Sequence, residues 1–217
     1  MATIALVRHA TTAATGSRLG GWTPGVHLDE GGRAQAEAAA ERLAGLPVVA
    51  VYASPLERTQ QTAAAIAAEH DLPVRTLPGV GEVDYGTWTD RPLDELRREP
   101  LWPVIQATPS RVTFPGGGSI RGAQARAVDA IEQVATEHRG QLVVVVSHAD
   151  VIKAVVAAFV GLGLDSFQRL VVSPASVSLL ALPDAGTPLL LRFNDTGPIE
   201  LPPSPPAEPS ADTEEAR

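Results

Sequence analysis

The sequence predicts an α/β protein: a three-layer sandwich in which a mostly parallel sheet lies between helices. Three observations carry that expectation. Apolar strand-like segments alternate with helical ones along most of the chain. The run Leu142-Val143-Val144-Val145-Val146 is apolar without interruption, as a strand covered by helices on both faces requires. A chain of 217 residues, 44% of them hydrophobic, can build one core of this kind.

Taken in order, the strand candidates are Thr3–Val7, Val48–Ala53, Val74–Leu77, Leu142–Val146, Val177–Leu182 and Leu189–Phe193. The helix candidates are Gly32–Leu43, Pro55–His70, Ser119–His138 and Asp150–Val160. In the third helix Ile120, Ala123, Ala127, Ile131 and Val134 recur at helical spacing and form a core-facing stripe. Ser54 and Glu57 read as a capping box at the start of the second, with Pro55 at its first position. The last two strands have no helix between them and are expected to form a hairpin or edge pair. The domain is expected to span residues 1–194. Residues 195–217 read as a disordered tail, rich in proline and carrying six acids against Arg217.

Composition removes several classes of function. There is no cysteine, which excludes disulfides, thiolate metal sites and cysteine nucleophiles. The net charge of −8 belongs mostly to the tail, and no basic patch with interleaved aromatics is present, so nucleic acid is not an expected partner. Arg8 and His9 interrupt the apolar amino-terminal stretch, and no apolar run approaches a membrane span, so a cytoplasmic location is expected. A single lysine, Lys153, amid abundant alanine and arginine suggests a bacterial genome of high GC content. There is neither a Walker glycine-lysine motif nor a G-x-G-x-x-G after a strand, and the histidines lack metal-ligand spacing. No cofactor and no metal are expected.

In parallel sheets ligands bind beyond the carboxyl ends of the strands. The first strand ends at Arg8-His9, the second at Ser54 with Arg58 one turn further on, and the fourth at Ser147-His148. Two arginines and two histidines thus converge on one rim. A neutral His9 can attack phosphorus, and Arg8 and Arg58 can bind phosphate oxygens through their forked donors. His148, if protonated, adds a further donor. The proton source is expected among the carboxylates of the loop Gly79–Trp88, Glu82 first and Asp84 second; burial would raise the pKa of Glu82 and keep it protonated. Trp22 and Trp88 fit either packing or pocket walls. His27, His70 and His138 read as exposed or capping residues. Gly116-Gly117-Gly118 fits a lid hinge or a plain flexible loop.

These residues resemble the histidine phosphatase superfamily, in its phosphoglycerate mutase-like branch. The resemblance rests on Arg8-His9-Ala10, on Leu19-Gly20-Gly21-Trp22 and on Leu28–Ala36. It continues through Tyr52-Ala53-Ser54-Pro55-Leu56-Glu57-Arg58-Thr59, the Glu82–Trp88 loop and Val146-Ser147-His148-Ala149. It implies that His9 is the phosphorylated nucleophile and Glu82 the proton donor, with Arg8, Arg58 and His148 forming the phosphate pocket, and it makes a homodimer an expectation. The chain departs from the family pattern at Ala10 (commonly glycine), near Thr15 (commonly asparagine), at Gly117-Gly118-Ser119 (commonly Gly-Glu-Ser) and at Thr89-Asp90 (commonly Glu-Gly). The expected activity is hydrolysis of small phosphomonoesters through a phosphohistidine. A phosphomutase and a non-catalytic phosphate-binding regulator are the alternatives, and the compact interval from Glu82 to His148 favours hydrolysis.

Overall fold

A computed structural model describes residues 1–198, and the expected disordered tail falls almost wholly outside them. Six strands, β1 (Ala2–Arg8), β2 (Val48–Ala53), β3 (Val74–Thr76), β4 (Leu142–Ser147), β5 (Val177–Leu182) and β6 (Leu189–Asp195), form one sheet in the order β3-β2-β4-β1-β5-β6. The first four of these in sheet order are mutually parallel. β5 runs antiparallel to β1, and β6 antiparallel to β5, so the expected edge pair is present on an otherwise parallel sheet.

The three layers follow from the pleat, because successive residues of a strand face opposite sides. In β1, Ala5 and Val7 face one side together with Val144 and Val146, where α1 (Glu30–Ala44) and α2 (Glu57–Ala68) supply Ala40, Leu43, Ala63 and Ile66. Ile4 and Leu6 face the other side with Val143 and Val145. There α5 (Ile120–Glu137) and α6 (Ala149–Phe159) supply Ala127, Ile131, Ile152 and Val155. The valine run of β4 is fully buried on both faces, which explains its lack of alternation.

Local signals set most helix starts. Asp29 caps α1 by accepting from Gly32 N at 2.6 Å, and Ser119 caps α5 by accepting from Gly122 N at 3.0 Å. The expected capping box of α2 does not form. The helix starts at Glu57, with Leu56 at the cap position and no side-chain cap bond. Ser54 Oγ instead lies 2.8 Å from His148 Nε2, and Glu57 Oε1 accepts from Gly25 N at 2.9 Å. Long-range partners thus displace the local motif. Two short helices that the sequence did not signal, α3 (Leu93–Leu96) and α4 (Leu101–Ala107), lie beside the rim between the Glu82 loop and α5. Pro103 and the shortness of both segments erase any helical periodicity there.

Candidate active site

The parallel register brings the predicted residues together. Arg8 of β1 lies opposite Ser147 of β4, and His9 N donates to Ser147 O at 2.9 Å, while Ser54 N donates to Val146 O at 3.1 Å. Three strand ends are thereby locked at one level. They open on a cavity of about 260 Å³ lined by Arg8, His9, Arg58, Glu82, Tyr85 and Asp150, with Thr12, Thr15 and Arg18 towards its mouth.

His9 is almost entirely enclosed. Its Nδ1 lies 2.8 Å from the carbonyl of Ala10, an acceptor only, so Nδ1 carries the hydrogen and Nε2 keeps its lone pair. Arg58 Nε approaches that lone pair at 3.3 Å. Burial, with Arg58 and Arg8 nearby, holds the imidazole down to about 3, so it is neutral. Ala10 does not need the left-handed backbone that would require glycine, and its N–H donates to Thr62 Oγ1 at 3.1 Å.

The two arginines are tied at one side and unspent at the other. Arg8 Nη1 donates to Val172 O at 2.7 Å, and Arg58 Nη2 donates to Gly21 O at 2.8 Å. Arg8 Nε and Arg58 Nη1 are buried without a hydrogen-bond partner among the described residues. Buried donors of this kind carry a desolvation cost that an anion in the cavity relieves. Both residues line that cavity.

His148, fully buried, does not carry the charge that the sequence allowed it. Burial, His9 and the surrounding arginines hold it well below the usual histidine value. Its Nε2 pairs with Ser54 Oγ, and its Nδ1 lies 3.3 Å from Arg58 Nη2 and 3.6 Å from Glu82 Oε2. Both ring contacts are met in a neutral tautomer with Nε2 donating to Ser54.

Glu82 lines the same cavity as His9 and comes within 3.6 Å of His148. Burial first and Asp150 second raise its carboxyl to about 7, against the pull of Arg58, Arg8 and the Val83 N–H that donates to Oε1 at 3.0 Å. Near neutral pH it holds a proton in a large fraction of molecules. Asp84, the other carboxylate considered, is exposed and accepts from Gly86 N at 3.0 Å. It does not line the cavity.

One residue that shapes the site, Arg126, carried no signal in the sequence, and others that did are placed here. Arg126, in the middle of α5, donates to the carbonyls of Pro78, Gly79, Gly81 and Glu82 and so fixes the course of the acid loop. Trp22 Nε1 donates to Glu82 O at 2.7 Å and ties the same loop from outside. Trp88 is core, packed edge-on against Phe114. The Gly116–Gly118 segment is fastened rather than free, since Gly118 N donates to Asp84 O at 2.9 Å and Thr87 N to Pro115 O at 2.9 Å. A Cβ on Gly117 would stand 2.4 Å from Gly86 N, so close backbone contact is what requires glycine there. Ser119 serves as a helix cap, and the hydroxyl of Thr15 accepts from Thr12 N at 2.9 Å at the cavity wall. Of the remaining histidines, His138 caps α5 and pairs with the hydroxyl of Tyr52 at 3.0 Å, while His27 pairs with Gln61 at 3.0 Å. No group of three histidine or acidic residues among the described residues is arranged to hold a metal ion.

The α/β sheet, with arginines and histidines gathered where its parallel strands end, defines the class of protein by fold and site, and comparison with known proteins gives it a family. The model of the histidine phosphatase superfamily (branch 1) matches residues 4–196. Phosphoserine phosphatase 1 of Hydrogenobacter thermophilus is 31% identical over 201 residues, covering 90% of this chain and 93% of that protein. The metal-independent phosphoserine phosphatase of Arabidopsis thaliana is 36% identical over 158 residues, covering 70% of this chain and 66% of that protein. The solved structure of Bacillus stearothermophilus YhfR superposes with a TM-score of 0.85 at 27% identity, covering 92% of this chain and all of that one. The chain belongs to the histidine phosphatase superfamily, and it is a phosphatase.

Proposed function

We propose that the protein hydrolyses small phosphomonoesters in two displacements, with His9 as nucleophile and Glu82 as the proton carrier. The observation that carries this reading is the hydrogen bond from His9 Nδ1 to Ala10 O, which leaves the lone pair on Nε2, 3.3 Å from Arg58 Nε, in a cavity that Arg8 also lines. In the first step Nε2 bonds to phosphorus, the ester P–O bond breaks, and the leaving oxygen takes the proton of Glu82. In the second, the Glu82 carboxylate takes a proton from water, the hydroxide oxygen bonds to phosphorus, and the P–N bond breaks to give phosphate and free His9. The unspent donors of Arg8 and Arg58 hold the equatorial oxygens in both steps. His148 does not line the cavity itself; in this reading it supports the phosphate pocket from behind through Arg58, whose Nη2 lies 3.3 Å from its Nδ1.

The cavity suits a small-molecule ester, and nucleic acid has no part in this reading. The names of the Hydrogenobacter and Arabidopsis relatives make O-phosphoserine the first ester to try. Phosphate release from a panel of esters by wild type and His9→Ala tests the reading, with an acid-labile label on His9 as the intermediate's signature. Turnover retained in His9→Ala would refute it, and transfer from a bisphosphorylated donor to a monophosphate acceptor would turn it into a mutase. The cytoplasmic location and the homodimer belong to this proposal as well; cell fractionation and light scattering test them.

A further inference from the structure

Asp150 is a half-buried carboxylate of the cavity for which the two displacements have no use. It sits in the first turn of α6, two residues beyond His148, and it is the second acid lining a cavity whose other charged groups are Arg8, Arg18, Arg58 and Glu82. Its two oxygens are separately held. Oδ1 takes the ammonium of Lys153 at 2.7 Å, one turn along the helix, and Oδ2 accepts from the hydroxyl of Tyr85 at 3.0 Å. Lys153 is fixed in turn by Gln168 Oε1 at 2.9 Å and lies 4.6 Å above the ring of Phe167. A helix amino terminus also favours an anion at this position.

The two acids of the cavity therefore stand in opposite circumstances. Burial works to raise Asp150, yet Lys153, the Tyr85 hydroxyl and Arg8 overcome it and hold the carboxyl below its ordinary value, so Asp150 stays charged. Glu82 has no comparable cation bonded to it. The groups facing it are Arg58 from α2, Arg8 from β1, Arg126 from α5, the neutral His148, Tyr85 and Asp150. Three arginines would strip its proton, and Asp150 is the one charge among them that opposes this. Environments that drive two neighbouring acids apart assign them different tasks.

Building on the acid role given to Glu82 above, we infer that Asp150 is a positioning residue for proton delivery: a fixed negative charge, tethered by Tyr85 and moderated by Lys153, that keeps the proton on Glu82. Lys153 then acts as the counterweight, and its loss should strengthen what the loss of Asp150 weakens.

The test is the basic limb of kcat/KM against pH for an alkyl phosphate and for 2,4-dinitrophenyl phosphate, whose phenolate leaves without needing a proton. Asp150→Asn should move the alkyl-ester limb to lower pH by about one unit, and Lys153→Met should move it to higher pH by a similar amount. The dinitrophenyl ester should change less than about twofold in either variant. Tyr85→Phe keeps the charge and loses only the tether, so its limb should move less than that of Asp150→Asn; it also serves if the asparagine variant folds poorly. An unmoved limb in both charge variants, or an equal loss on both esters, overturns the inference. Glu82→Gln is run alongside. If that variant keeps alkyl-ester turnover and its basic limb, the acid role of Glu82 is what fails. If it loses both while Asp150→Asn is without effect, only the role of Asp150 fails.

Discussion

The floor of the cavity and its mouth are built from different material. The floor stands on the ends of β1, β2 and β4, whose register fixes Arg8, His9, Ser54 and His148 through backbone contacts. The mouth is made of the loop bearing Thr12, Thr15 and Arg18 and of the segment from Asp90 to Leu93, joined by the isolated bridge between Arg18 and Pro92. Arg18 Nε donates to Asp90 Oδ1 at 2.8 Å, but both side chains are about half exposed, so water and salt weaken the pair. Asp90 holds a φ of +61° where the family commonly has glycine, and it provides the carboxylate for that pair. The groups assigned to phosphorus in this reading sit within or just beyond the ends of regular elements, Glu82 apart, whereas Thr12, Thr15 and Arg18 sit on a loop.

That contrast can be broken by experiment, most forcefully at the floor. Replacing His9 with Ala should lower kcat on the order of 10⁴-fold or more and abolish the acid-labile phosphoenzyme, read by single-turnover labelling. Glu82→Gln should cost about 10² to 10⁴ in kcat/KM on an alkyl ester and far less on a dinitrophenyl one. The wild-type rate on the alkyl ester should fall as pH rises through about 7, where Glu82 loses its proton. The same carboxyl has a stability consequence of definite sign. Its folded-state value of about 7 lies above the ordinary 4.5, so its contribution is full below 4.5 and lost as pH climbs through 7. Glu82→Gln should therefore be the more stable protein at pH 8, by roughly 3 kcal/mol in chemical denaturation, with the gap closing towards pH 4.

Ser54→Ala should be milder, costing about 10- to 100-fold in kcat, because it frees His148 without removing a reacting group. Arg18→Ala should be milder still. A rise of about two- to tenfold in KM with kcat nearly unchanged is expected at low salt, fading at high salt. A kcat loss in Arg18→Ala as large as that of Ser54→Ala would erase the distinction between floor and mouth.

The same boundary marks how much was legible beforehand. Arg8-His9, Ser54 to Arg58 and Ser147-His148 were readable because each motif lies where a strand ends, and strand ends can be inferred from a single segment. Glu82 was readable from its glycine- and aromatic-rich loop. Arg126 was not, and Trp22, though part of a recognised motif, could not be given its role, since the use of each depends on which carbonyls it comes to rest against. Asp150 looked like an ordinary first-turn acid, because only the fold brings Tyr85 and Glu82 beside it. The misread capping box at Ser54 teaches the converse: its hydroxyl could serve a neighbour in sequence or a histidine in space, and the buried histidine takes it.

The position of β1 in the sheet bears on the order in which the molecule can come together during synthesis. The strand carrying Arg8 is made before both of its neighbours, β4 and β5, which follow only after β2, β3 and the helices between. At ordinary translation rates it waits on the order of 10 to 30 s before either partner exists. Through that interval an apolar segment has nothing to pair with, and such non-local pairings close slowly. Val172, whose carbonyl holds Arg8, emerges after β4 and before β5. His9 is thus made long before the segments that come to hold its strand, and the cavity around it can form only once those segments have emerged.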